Sequence, residues 1–267
     1  MKRKGLLIGA GVIIAAILIF LTTVQLGKTQ GTSSTNENKK VLTFAATGTS
    51  FPTAYKKDGK LVGFDVDLAN IIAKKLGYKS NWITGDFDGL FGQLDNGKID
   101  TIANDVAITT ERTEKYRFSN PYNTEETTVA VAKKTSYKTL KDLEGKTVAG
   151  AVASNNTENL KAYDSKINIK TFEGRDDIYQ ALLVGHVDGV INTRNNLAAL
   201  IKKKGYNWKI LNGNAATVKI AFPFTKDVRG KKLEEKFNSE IAKLKQDGTI
   251  AKLSNKYFGY DITQNLK

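Results

Sequence analysis

DGLFGQLDNGKIDTIAN, residues 88–104, is echoed at an offset of 88 residues by DIYQALLVGHVDGVIN, residues 177–192. Gly97 matches Gly185, Ile99 matches Val187, Asp100 matches Asp188 and Asn104 matches Asn192. Each copy predicts a helix, a glycine that ends it, and a short apolar strand emerging at a polar residue. One pair is too few for a solenoid. It suits an α/β chain of two similar lobes that send strand ends to one shared cleft, because ligands in such sheets gather outside the carboxyl ends of the strands.

The 267 residues can build one large domain or two modest ones. With no cysteine and only His186, the chain lacks the material for disulfides, thiolate metal sites, a cysteine nucleophile or a lipid-modified cysteine. No metal, cofactor or catalytic residue is therefore expected, and His186, beside Gly185, reads as a surface residue near a helix C-terminus. The net charge is +14, and residues 1–40 alone carry six Lys or Arg against one acid. Elsewhere lysines mix with acids and aromatics do not interleave with basic runs, so nucleic acid is not an expected partner.

The chain opens with Met1-Lys2-Arg3-Lys4, followed by an uncharged run from Gly5 to Leu26. That run is near the roughly 20 residues that cross a bilayer core as a helix. Its positive flank predicts an inner N-terminus and an outer position for everything after Lys28. Residues 1–27 read as either a cleaved signal or an uncleaved membrane anchor; the length of the run and the poor cleavage site favour the anchor. Residues 28–40, KTQGTSSTNENKK, read as a flexible tether. VLTFAATG from Val41 reads as a strand, and GFDVDLANIIAKKLG as a helix capped by Asp65 and ended by Gly77. Capping and dipole compensation explain Asp65 and Asp67 more simply than a carboxylate pair does. After a strand-like KIAFPF, two helical stretches return the chain to its first lobe. Two crossings between lobes make a hinge that can close around a solute.

Thr109 or Thr110 can cap the helix that holds Arg112 in its first turn. A guanidinium there can grip a carboxylate bidentately, helped by backbone N–H groups. An ion pair with Glu111 or a neighbouring acid accounts for the residue equally well. ITTERTEKYRFSNPY, residues 108–122, together with GFDVDLA, KDLEGKTVAG and DGTIAKLSNKYFG in that order, resembles the bacterial ABC-importer solute-binding proteins for polar amino acids, family 3. The resemblance runs from about Val41 to Gly259. IANDVAITTERTEKYRFSNPY and ASNNTENL are most similar to the cystine-binding branch.

The resemblance implies an α/β, two-lobed periplasmic-binding-protein-like (Venus flytrap) fold with two hinge strands, near residues 121–127 and 214–219. Lobe 1 would hold residues 41–121 and 219–262, and lobe 2 residues 127–214. The function it implies is that of a monomeric extracytoplasmic carrier, held at the membrane by its N-terminal segment, that delivers an amino acid, cystine among the candidates, to a permease. By the same resemblance Arg112 holds the ligand's α-carboxylate, Ala107 offers a backbone N–H where a threonine often helps, and Phe51 and Phe87 form aromatic walls. Ordinary core packing is the alternative for both phenylalanines. Ser154 and Asn155 match the second-lobe turn and helix start that donate to the carboxylate. Thr193 departs from the pattern, standing where an aspartate usually binds the α-ammonium. Asp105, the equivalent of Thr193 in the other copy of the repeat, is the expected substitute; a ligand without an ammonium group is the alternative. The rival functions are a dehydratase on the same fold, with Asp105 or Glu111 as its acid, and a sensor domain, for which no signalling module follows.

Overall fold

A computed structural model describes residues 40–263. The expected membrane segment and nearly all of the tether lie outside the described residues. Among those described, no helix is long and apolar enough to cross a membrane.

Four strands, β1 (Val41–Ala46), β2 (Thr49–Ser50), β3 (Ala54–Lys57) and β4 (Lys60–Val62), lead into helix α1 (Phe64–Lys75). Next come β5 (Lys79–Thr84), α2 (Phe87–Asp95), β6 (Thr101–Ile102), α3 (Thr110–Lys115) and β7 (Arg117–Phe118). The middle of the chain holds β8 (Asn123–Ala132), β9 (Thr147–Ala151), α4 (Asn155–Tyr163), β10 (Asn168–Phe172), α5 (Arg175–Leu183), β11 (Gly189–Thr193), α6 (Arg194–Lys204), β12 (Trp208–Ile210) and β13 (Ala216–Ile220). It ends with β14 (Pro223–Phe224), α7 (Val228–Gln246) and α8 (Thr249–Phe258).

Helix α1 buries Phe64, Leu68, Ala69, Ile72 and Ala73, the spacing of one apolar face. It stops at Gly77, whose φ of 76° suits a residue without Cβ. The Gly77 N–H donates to the Lys74 carbonyl and the Tyr78 N–H to that of Ala73, satisfying carbonyls the helix leaves over. The expected cap at Asp65 is not made. The chain enters the helix through Gly63, with no side-chain cap, and a Cβ there would sit 2.1 Å from the Thr53 carbonyl oxygen. Asp65 instead turns inward, buried, toward the backbone of Asp105.

Both copies of the repeat form a helix, a left-handed glycine and a strand. Gly97 and Gly185 donate to Leu94 and Leu182, and the next residues, Lys98 and His186, donate to Gln93 and Ala181. The two matching aspartates do the same work. Asp100 accepts from the Thr43 N–H at 2.9 Å and Asp188 from the Thr147 N–H at 2.9 Å, each tying the incoming strand to its neighbour. This role explains the repeated Asp without invoking the ligand.

One sheet runs β5-β1-β6, all parallel; the other runs β10-β9-β11-β8-β12, with β13 also on β8. Strand β8 carries the chain from the first sheet to the second, and β13 brings it back. They pair antiparallel from Asn123 with Ile220 to Thr127 with Ala216, so the two crossings form one ribbon. Phe222 and Phe224 then pack edge-on against Phe237 of α7, at 5.3 and 5.0 Å between ring centroids. The core around them, with Phe44, Phe64 and Leu68, is fully buried. Burying each such side chain contributes about 1.5–3 kcal/mol, which holds the returning helices on the first sheet. Ile178, Val190, Leu197 and Trp208 belong to the core of the second sheet.

Candidate functional site

Two residues past the end of β6 stands Asn104, buried among polar groups. Its side-chain oxygen accepts from the Thr47 N–H and hydroxyl, each at 2.9 Å, and its amide donates to Ser50 Oγ at 3.3 Å. These bonds pin the 47–50 loop beside the strand end. Asp105 follows with φ 57°, a left-handed conformation that Asp and Asn tolerate better than other side chains. Its N–H donates to Asp65, and its Oδ2 accepts from Asn196 Nδ2 of α6 at 2.9 Å. A first-sheet loop is thereby bonded to a second-sheet helix.

The second sheet presents the start of α4. Ser154 caps that helix, its hydroxyl accepting from the Asn156 N–H at 3.3 Å, and the helix N-terminus offers N–H donors and a positive dipole end. Arg175, the first residue of α5, reaches the other way. Its Nε donates to Ser50 Oγ at 3.3 Å. Between these elements lies a cavity of about 540 Å³ of empty space, partly open to solvent, with walls from both sheets.

Of the residues expected at the site, Phe87, Asp105, Ser154 and Asn155 line this cavity. Arg112 stands behind Phe87, its guanidinium carbon 5.4 Å from that ring's centroid and 5.0 Å from that of Phe91. Nη1 donates to the Ala107 carbonyl at 3.1 Å, and the Arg112 N–H is capped by Thr109 Oγ1 at 3.2 Å. The alternative pair with Glu111 is not formed; that carboxylate lies 3.7 Å from Lys115. Burial lowers the Arg112 pKa to about 10, which leaves it a cation at neutral pH.

Ala107 is buried and bridges to Ile220 of the returning strand, away from the cavity wall. Thr193, also buried, accepts from the Asn196 N–H at 3.4 Å and so caps α6. The same Asn196 whose backbone it caps carries the amide that reaches Asp105. Phe51 packs edge-on to Tyr55 at 4.8 Å and lines two neighbouring hollows rather than this cavity. Thr47, Ser50, Asn104, Asn196 and Arg175 complete the polar wall or brace it. Asn104 was marked by the repeat. The others have no pattern in the sequence, because loops far apart in the chain bring them together.

Three acids meet at and beneath the cavity wall, the half-buried Asp105 and the buried Asp65 and Glu125. Burial raises the Asp105 carboxyl pKa, opposed by the Asn196 bond and the Arg175 charge. Asp65 is pushed well up by burial and then by repulsion from Asp105. Glu125 of the crossing strand, fully buried, is raised to about 8 by burial and by Asp105, against bonds from Thr193, Asn195 and Asn123. A cation arriving at Asp105 would relieve this desolvated negative charge. Among the described residues no group of His, Cys, Asp and Glu is placed to hold a metal ion.

Residues 42–260 match the model of the bacterial extracellular solute-binding proteins, family 3. A probable amino-acid-binding protein of Bacillus subtilis, YxeM, is 43% identical over 96% of this chain and 96% of its own length. The L-cystine-binding protein TcyJ of Escherichia coli is 29% identical over 94% of this chain and 95% of its own. Among solved structures, an ancestral arginine-binding protein bound to glutamine superposes with a TM-score of 0.76 at 34% identity, covering 82% of this chain and 98% of that one.

Proposed function

The chain belongs to the bacterial extracellular solute-binding proteins, family 3, and from that premise we propose that it captures a polar amino acid in the cavity between its sheets and delivers it to the permease of an ABC importer. The observation that carries this reading is the cavity walled by both sheets, with Asp105 on one wall and the start of α4 on the other. An ammonium would sit at Asp105. The α-carboxylate would take donors from Ser154, Asn155 and the helix N-terminus, with Arg112 reaching past Phe87. Phe87 would cover the ligand's apolar stem.

Closure and release would turn on the paired β8 and β13, the two crossings between the lobe of residues 41–121 and 219–262 and that of residues 127–214. The relatives carry the names of binding proteins, in keeping with a carrier that makes and breaks no bonds. The uncharged run from Gly5 to Leu26 would hold that carrier at the membrane.

Titration calorimetry with a panel of amino acids tests the reading. At least one polar amino acid is expected to bind wild type, and Arg112→Ala to weaken that binding about 30-fold, near 2 kcal/mol for an unpaired carboxylate in a closed cleft. A panel in which nothing binds would overturn it.

A further inference from the structure

Two hollows outside the capture cavity share Phe51, Tyr55 and Lys203 in their walls, so they run together as one groove. Both lobes build it. Lys56 and Lys57 of β3 come from the first lobe, and Lys202, Lys203 and Lys204 at the end of α6 from the second. All five lysines are exposed, and among the described residues no carboxylate lies within 4.0 Å of any of them. A sixth, Lys256 of α8, is held by Asp67 at 2.6 Å. Among the described residues Asp176, also exposed, is the one carboxylate that lines either hollow.

Helix ends explain only part of this charge. The carboxyl end of a helix is equivalent to about half a negative charge. Lys202 serves α8 as well as α6, its Nζ lying 3.3 Å from where a Cβ on Gly259 would stand. The two helix ends thus match about one lysine. Lys56 and Lys57 lie on a strand, with no helix end to serve. Setting Asp176 against one more leaves about three ammonium groups without a counter-charge.

Ammonium groups are compact point charges suited to phosphate oxygens, and no arginine fork for a planar carboxylate lines either hollow. Each hollow offers about 1000 Å³ of empty space, open to solvent, which is more than one phosphate fills. The unmatched charges stand on both lobes, which suits several phosphates along one chain. Tyr55 and Tyr206, half-buried in the groove wall, add hydroxyl donors.

We propose that this groove binds a linear polyphosphate-type anion, a chain of phosphates held by lysines of both lobes. The groove lies outside the capture cavity, so its filling and the capture of an amino acid are tested separately. The full chain in mild detergent is titrated calorimetrically with short-chain sodium polyphosphate at physiological ionic strength. Charges farther apart than a Debye length are screened there, so the net charge of +14 cannot act as a whole. Orthophosphate, poly-L-glutamate and a single-stranded oligonucleotide are the comparison probes.

Polyphosphate is expected to bind wild type more tightly than any of the three. Lys57→Gln combined with Lys203→Gln should weaken it about tenfold, the loss of two exposed ion pairs. Lys231→Gln combined with Lys232→Gln removes the same charge from α7, outside the groove, and should change it less than about twofold. All four lysines are exposed, and thermal melts of both variants control for folding. Equal losses in the two variants would show that net charge alone draws the polyphosphate. Orthophosphate or poly-L-glutamate bound as tightly would show that the groove does not select a chain of phosphates, and a tighter oligonucleotide would assign it to bases stacked on its aromatics. Each of these overturns the proposal, as does a polyphosphate that fails to bind wild type.

Discussion

Replacing Asp105 by Asn should separate binding from stability. Asn suits the left-handed φ of 57°, and its side-chain oxygen can go on accepting from Asn196 Nδ2, so the backbone and the inter-sheet bond survive. What disappears is the negative charge. Truncating one partner of a buried, hydrogen-bonded charge pair costs about 2–5 kcal/mol of binding. Asp105 is only half-buried and its charge is already shared with Asn196 and Arg175, so the lower end applies. About 2 kcal/mol corresponds to a loss of about 30-fold in Kd.

Stability should move the other way. Burial raises the Asp105 carboxyl, so the charged form is the one that folding disfavours. Removing that charge should stabilise the ligand-free protein by about 1 kcal/mol, or about 2–4 °C in Tm for a chain of this size. Calorimetry with a bound amino acid and a thermal melt of the ligand-free protein make the pair of measurements. Unchanged affinity would refute the placing of the ammonium at Asp105. Weakened binding with a lowered Tm would show that Asn had damaged the fold instead.

Stability should also fall as pH rises from about 5 to about 8. Glu125, raised to about 8, keeps a proton in the folded state that the unfolded chain releases, so its penalty is absent below the ordinary carboxylate range and complete above about 8, and Asp65 and Asp105 are raised in the same direction. The carboxyls of Asp142, Asp227 and Asp247, lowered by hydrogen bonds, act oppositely and lose their contribution only as pH drops through their own lowered range. Melts of the ligand-free protein from pH 5 to 8.5 check this, and a flat or rising Tm would contradict it. Gly230→Ala should destabilise by about 3 kcal/mol or prevent folding, because a Cβ there lies 2.0 Å from the Thr225 carbonyl oxygen at the start of α7; a denaturant melt measures it.

Local patterns carried much of the architecture. The helix-glycine-strand repeat is legible because periodicity, a left-handed glycine and the strand that follows lie within about 17 residues. The same adjacency marks Asn104 and Asp105 as strand-end residues and Arg112 as a first-turn residue. Where a side chain points is a different matter. Asp65 reads as a helix cap from its neighbours, yet the packing of α1 turns it beneath Asp105. Phe51 reads as a wall of the cleft but faces two hollows beside Tyr55.

Asn196 and Arg175 lie 91 and 70 residues from Asp105, and the β8–β13 ribbon, with packing between the lobes such as the bond from Tyr260 to Asn195 at 2.6 Å, sets the distance between their helices and its loop. The sequence by itself determined the class of fold, the order of the elements and the strand ends at which a solute would gather, since short-range periodicity and turn chemistry encode them. Which charges share the cavity was decided by tertiary structure alone. Burial and contacts between distant loops set both the position and the protonation of Asp105, Glu125 and Arg112, and no local run of residues carries that information.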